Sequence, residues 1–175
     1  MNLAVTAIGQ DRPGIVAGIT AVFLEMDGNV DDSQMSILHG HFAVTLIVSV
    51  PEGTSIDELS ARLEETGREF GLAAITVSPV ESLERGPQAT HVLTVYGTDQ
   101  PGIVHGVTES LAARQINITD LRTRRTGTEE KPVYTLMMEI AVPAEARADA
   151  AAALERYGEE HEVEVVLAEL DAETL

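Results

Sequence analysis

The sequence has no cysteine, few aromatic residues and no long apolar run, and each absence removes a class of function. Without cysteine there are no disulfide staples, thiolate nucleophiles or cysteine-based zinc sites. Aromatic residues make up 3% of the 175 positions, so Ile, Val, Leu and Ala must fill the interior. No segment approaches the roughly 18 apolar residues that a membrane span requires. The start, Met1-Asn2-Leu3-Ala4-Val5, lacks the basic stretch of a secretory leader. The cytoplasm is the expected address, with no membrane partner. Positive charge is also scarce. Up to Gln88 there are 4 basic and 13 acidic residues, and beyond it 7 basic and 16 acidic, so each half carries −9. Such a field repels a phosphate backbone, so no direct nucleic-acid contact is expected. Any control of genes would run through a protein partner. No H-E-x-x-H, G-x-S-x-G or P-loop occurs, and the carboxylate pairs Glu64-Glu65 and Glu159-Glu160 lie in ordinary charged stretches. The chain is expected not to be an enzyme and to need no cofactor or metal.

What is present is a repeat. Gly9-Gln10-Asp11-Arg12-Pro13-Gly14-Ile15-Val16-Ala17-Gly18 recurs 88 positions later as Gly97-Thr98-Asp99-Gln100-Pro101-Gly102-Ile103-Val104-His105-Gly106. At the same shift Thr20 matches Thr108, Asn29 matches Asn117 and Asp32 matches Asp120. Phe42 to Pro51 answers Tyr134 to Pro143 at a shift of 92, so the second copy carries four extra residues. They fall in Thr126-Gly127-Thr128-Glu129-Glu130-Lys131, a hairpin tip by composition, where insertions are tolerated.

Each copy has the same order of elements. Leu3 to Ile8 reads as a strand. Pro13 suits the first position of a helix, where its missing N–H costs nothing. Ile15, Val16, Ile19, Val22, Phe23 and Met26 then follow at helical spacing. Gly28-Asn29 is expected to end that helix, because both residues tolerate left-handed dihedrals. Val30 to Leu38 and His41 to Val50 read as a hairpin around His39-Gly40. Ser55 is a candidate N-cap for a helix carrying Ile56, Leu59, Leu63 and Phe70, and Ala74 to Val80 makes the last strand. The order βαββαβ, met twice, predicts an α+β protein with two ferredoxin-like domains, each an antiparallel sheet with two helices on one face. The boundaries expected are 1–82 and 90–175, with 83–89 as linker. The sheet face away from the helices carries Ala43, Thr45 and Ile47 in one copy and Thr135, Met137 and Ala141 in the other. A face that apolar favours packing between copies or chains, so a homo-oligomer such as a dimer is expected.

The two D-x-P-G-I-V segments, with Gly28-Asn29-Val30 and Ile116-Asn117-Ile118 downstream, resemble the ACT-domain family. The resemblance covers essentially the whole chain, twice. A chain of two ACT modules with nothing else is similar to the glycine cleavage system transcriptional repressor group, which implies an amino-acid-binding regulator working through a partner protein. Glycine or serine is the ligand that this resemblance suggests.

The residues offer a physical site beside the resemblance. A strand-to-helix turn leaves backbone N–H groups unpaired at the positive end of a helix, which suits a carboxylate. Gly14 and Gly102 let a ligand approach the backbone closely. The amides of Asn29 and Asn117 each offer a donor and an acceptor. Asp11 and Asp99 either meet a ligand's ammonium or hold the loop by accepting from its N–H groups. The candidate ligand-binding set is therefore Asp11, Pro13, Gly14, Ile15, Val16, Asn29 and Val30, with Asp99, Pro101, Gly102, Ile103, Val104, Asn117 and Ile118. In the bland reading Pro13 and Gly14 only build the turn, the two Asn residues only cap helices, and Ile15, Val16, Ile103 and Val104 are core.

Other features carry alternatives. His39-Gly40-His41 has the spacing of two metal ligands on one strand face, but it sits at a turn and has no second copy, so a metal-responsive sensor is the lesser rival. Arg122, Arg124 and Arg125 form the one basic cluster, with Glu129 and Glu130 as expected surface partners. Glu159 to Glu173, interleaved with Val163, Val165, Leu167 and Leu170, reads as a strand with one solvated face. The other rival function is a ligand-free interaction module.

Overall fold

The computed structural model describes residues 1–84, 86–128 and 131–170. It divides into two units, Met1–Glu84 and Arg85–Leu175. The first runs β1 (Asn2–Gln10), α1 (Ile15–Glu25), β2 (Asn29–Leu38), β3 (His41–Ser49), α2 (Ile56–Phe70) and β4 (Leu72–Val80). The second runs β5 (His91–Thr98), α3 (Ile103–Ala112), β6 (Asn117–Thr128), β7 (Lys131–Ala141), α4 (Arg147–His161) and β8 (Glu164–Glu169). The sheet orders are β2-β3-β1-β4 and β6-β7-β5-β8, with every adjacent pair antiparallel. Each unit is the α+β, ferredoxin-like βαββαβ plan expected from the sequence.

Alternation decides the layers. In β1, Leu3, Val5 and Ala7 are fully buried, and in β3 Phe42, Val44, Leu46 and Val48 join them. Ile15, Ile19, Val22 and Phe23 of α1 and Leu59 and Leu63 of α2 close that core from one side. The second core repeats the scheme with Leu93, Val95, Leu136, Met138 and Ile140 under Ile103, Val107, Leu111, Ala150 and Leu154. With so few aromatics, these aliphatic side chains supply the stability, each contributing about 1.5–3 kcal/mol when fully buried. Ala43, Thr45 and Ile47 do face away from the helices, as do Thr135, Met137 and Ala141. Among the described residues, one polar side chain enters a core. His91 stands where the first unit has Leu3, is 5% exposed, and has its Nδ1 2.8 Å from Thr90 Oγ1.

Local signals behave largely as read. Ser55 Oγ accepts from Glu58 N–H at 3.2 Å and caps α2. His39 and Gly40 have φ of 50° and 80°, the paired left-handed dihedrals of a two-residue hairpin turn. The four extra residues of the second copy lengthen its hairpin from strands of 10 and 9 residues to strands of 12 and 11. Glu129 and Glu130 at that tip lie outside the described residues, as does 171–175.

Four expectations need correction. Pro13 lies in the turn ahead of α1 rather than at its first position, because Gly14 is the N-cap with φ 96° and no helix includes such a dihedral. Asn29 does not end α1: Asp27 takes the left-handed dihedral at φ 54°, and Asn29 is already the first residue of β2. Leu72 rather than Ala74 opens β4. Glu159 and Glu160 belong to α4, and among the described residues of the acidic tail the strand is Glu164–Glu169.

Candidate functional site

The loops Asp11–Gly14 and Asp99–Gly102 join an inner strand to a helix in each unit. Their bases are pinned to the neighbouring hairpin, with Asp11 N–H donating to Gly40 O at 2.9 Å and Asp99 N–H to Pro132 O at 3.4 Å. Gly14 and Gly102 then turn the chain with φ of 96° and 100°, which side chains with a Cβ rarely adopt. The helices begin with Gly18 N–H to Gly14 O and Gly106 N–H to Gly102 O. Thr20 and Thr108 both return their hydroxyls to the helix backbone, to Val16 O and His105 O, so the matched threonines are structural. Neither helix start has a side-chain cap or an acid in its first turn, in contrast to α2. Their first N–H groups are therefore free of side-chain acceptors, and the end carries the positive partial charge that attracts a carboxylate.

At the second loop this start opens into a cleft of about 480 Å³, lined by Asp99, Gln100, Pro101, Gly102, Ile103, Val104, His105 and Tyr134. Every residue proposed for that loop lines it. Ile103 is buried and also belongs to the core, as Ile15 does in the first unit, whereas Val16 is exposed. Gln100, His105 and Tyr134 join the lining without having been expected from the sequence. Arg125 was likewise not expected beside the loop, and its Nε lies 2.9 Å from Asp99 Oδ2. A signal existed: in the aligned copies His105 replaces Ala17, Tyr134 replaces Phe42 and, by strand register, Arg125 replaces Ile37. These differences set the second loop's surroundings apart from the first, as does Gln100 in place of Arg12. Tyr157, whose phenol burial pushes up in pKa, donates to Ile103 O at 3.4 Å beneath the loop.

The asparagines are elsewhere. Asn29 is in register with Ser49, and Ser49 with Asn2, whereas Gln10 pairs His41 at the loop end. Eight strand residues, or about 27 Å, separate those two ends. Asn117 pairs Ala141 at the corresponding far end of the second sheet. Loop and Asn therefore do not meet within one unit, and the grouping expected from the sequence is not assembled there. Val30 and Ile118 go with the asparagines, Val30 against the first core and Ile118 partly exposed. Asn29 is also committed, its Nδ2 donating to Asp31 Oδ1 at 2.8 Å, and Ser49 Oγ donates to the same oxygen at 3.2 Å. Asn117 makes no side-chain hydrogen bond among the described residues.

The basic cluster divides between sheet faces. Arg122 and Arg124 pair with Met137 and Thr135 on the face away from the helices, while Arg125 pairs with Tyr134 on the helix side. Arg122 binds Asp120 at 3.0 Å, so the partners described are Asp120 and Asp99, with Glu129 and Glu130 outside the described residues. His39 lies in the turn rather than on a regular strand, so it does not share the face geometry that two strand residues would offer a metal. Among the described residues, no three His, Cys, Asp or Glu side chains converge on a possible metal position. No helix there is long and apolar enough to cross a membrane.

A family model for the ACT domain matches residues 2–77 and again residues 90–168. The chain belongs to the ACT-domain family. Its second ACT domain holds the open cleft, and its first holds the matching loop. Among relatives, it is 29% identical to the glycine cleavage system transcriptional repressor of Escherichia coli over 150 residues, 85% of this chain and 78% of that protein. A UPF0237 protein of Methanopyrus kandleri is 40% identical over 72 residues, 41% of this chain and 80% of that protein, the length of one ACT domain. The crystal structure of an unknown protein from Galdieria sulphuraria superposes with a TM-score of 0.82 at 27% identity, covering 97% of this chain and 98% of that one. The tandem arrangement is thus shared along nearly the full length of a solved protein.

Proposed function

We propose that this tandem ACT protein is a cytoplasmic sensor of a small amino acid that regulates through a protein partner and performs no chemistry of its own. The observation that carries the reading is the cleft at Asp99–His105. It joins an uncapped helix start, suited to a carboxylate, to a carboxylate side chain suited to an ammonium. Glycine or serine is the ligand favoured, because the Escherichia coli relative is named as a repressor of the glycine cleavage system. The charge of −9 on each half argues against direct contact with nucleic acid and for a protein as the regulated target.

Ligand binding at the cleft would favour one conformation of the protein over another and shift the surface offered to the partner, in a homo-oligomer of this chain as readily as in a single copy. A coupling of about 1–3 kcal/mol is enough for such control. The test is a thermal-shift and calorimetric screen against the twenty amino acids. Glycine or serine should raise the melting temperature at millimolar concentration. Absence of binding by every amino acid would defeat the sensor reading and leave the interaction module in its place.

A further inference from the structure

The two ACT domains share a backbone but not a cleft, and their differences gather around the loops. In the first, the Phe70 ring lies over Gly14 and Gly18, so that a Cβ on Gly14 would be 3.2 Å from Phe70 Cε1. In the second, nothing lies within 4 Å of a Cβ on Gly102. Counting from the matched helical glycines Gly67 and Gly158, the place of Phe70 is taken by His161. That ring packs against Tyr157, with centroids 4.3 Å apart and planes tilted by 42°, and Tyr157 in turn covers Gly106 rather than Gly102. The loop is open because its covering aromatic has been replaced.

The edge strand has changed with it. Ile37, opposite Phe42 in the first domain, offers Asp11 no charge partner. Arg125, opposite Tyr134 in the second, holds Asp99 through Nε at 2.9 Å. Its Nη groups make no hydrogen bond among the described residues, and the side chain is 67% exposed. A carboxylate that lines the cleft, paired with a guanidinium beside it, is the charge complement of an α-amino acid, whose ammonium and carboxylate are likewise adjacent. An ion pair this exposed contributes little to stability, so it can open toward a ligand at small cost.

We infer that the amino-acid site resides in the second ACT domain alone, with Asp99 receiving the ammonium and Arg125 the carboxylate. The first domain has its loop closed by Phe70. The inference rests on the sensor reading above and assigns that reading to one domain and one charge pair.

Calorimetry on the full chain with glycine and serine, each beside its carboxamide, tests it. One ligand should bind per chain, and the amino acids should bind more tightly than glycinamide and serinamide. Arg125→Met should weaken the amino acids by about tenfold to a hundredfold, as expected for a charge-assisted contact. It should also collapse their preference over the amides, an effect that a loop merely distorted by the lost ion pair would not produce. Asp99→Asn should weaken both ligand types. Arg122→Met, on the far sheet face, should change neither. Two ligands per chain, or an Arg125→Met protein that keeps its affinity and its preference for the carboxylate, would overturn the assignment while leaving the sensor reading intact. If no amino acid binds the unaltered chain, the sensor reading itself fails, and the assignment with it.

Discussion

His91 provides the sharpest quantitative test of the fold. It sits at the inward position that Leu3 fills in the first domain, and β5 holds it between β7 and β8, opposite Ile140 and Glu169. Thr90 Oγ1 accepts the Val142 N–H at 2.9 Å and lies in hydrogen-bond contact with the imidazole Nδ1 at 2.8 Å. Burial is the chief reason that its pKa falls below the ordinary histidine value; the Arg147 guanidinium lowers it further, and Glu169 opposes in part. The unfolded chain, with a histidine pKa near 6.5, therefore binds a proton more readily than the folded one. By linkage, the contribution is fully present above pH of about 6.5 and is lost as pH falls toward the depressed folded pKa. The slope between those limits is at most about 1.4 kcal/mol per pH unit.

The perturbation is His91→Leu, which restores the residue of the first domain. At pH 7.5 it adds apolar burial but removes the Thr90–imidazole hydrogen bond, which contributes about 1 kcal/mol, so the two effects oppose one another. At pH 5.5 the unaltered protein has lost up to about 1 kcal/mol in the second domain and the variant has not. For a unit this size that difference is about 4–8 °C in melting temperature. Thermal melts followed by circular dichroism at half-unit steps from pH 5.5 to 8 should show the variant overtaking the natural protein as pH falls. Parallel curves, or a variant that loses more stability in acid than the natural protein, would refute the burial argument.

Two further substitutions test the packing. Gly67→Ala and Gly158→Ala occupy equivalent helical positions, yet an added Cβ meets Ile75 Cγ2 at 3.3 Å in the first and the Val163 carbonyl oxygen at 2.8 Å in the second. The first should be within about 1 kcal/mol of neutral, because alanine's helix propensity offsets a yielding contact, and the second should cost about 1–3 kcal/mol in urea denaturation. Ser55→Ala removes the one side-chain cap of α2 and should lower the stability of the first domain by about 1 kcal/mol, measured the same way.

The order of elements was legible because each carries its own period: Phe42, Val44, Leu46 and Val48 alternate, and Ile15, Ile19, Val22 and Phe23 recur at helical spacing. The errors came where neighbours in the chain compete for one role. Asp27, Gly28 and Asn29 all tolerate a left-handed dihedral, and only the folded chain shows Asp27 and Gly28 closing the helix while Asn29 enters the strand. Pro13 and Gly14 compete in the same way, and the glycine's φ of 96° decides that the helix begins after both.

The candidate site was half legible for a different reason. Its loop is contiguous, so the repeat itself exposed it. The side chains that distinguish one loop from the other are distant in sequence. Phe70 reaches Gly14 from the end of α2, and Arg125 reaches Asp99 from the edge strand. Register also separates Asn29 from its loop, a fact that spacing along the chain conceals because α1 carries the backbone from one end of the sheet to the other. In a duplicated protein, however, each copy supplies the reference for its twin. Where a core position changes, as Leu3 to His91, the new residue must find its own polar partners and becomes sensitive to pH. Where several positions around one loop differ together, from Phe42, Ile37 and Ala17 to Tyr134, Arg125 and His105, the two copies differ in what the loop can offer a charged ligand, and that difference is what the Arg125 substitution tests.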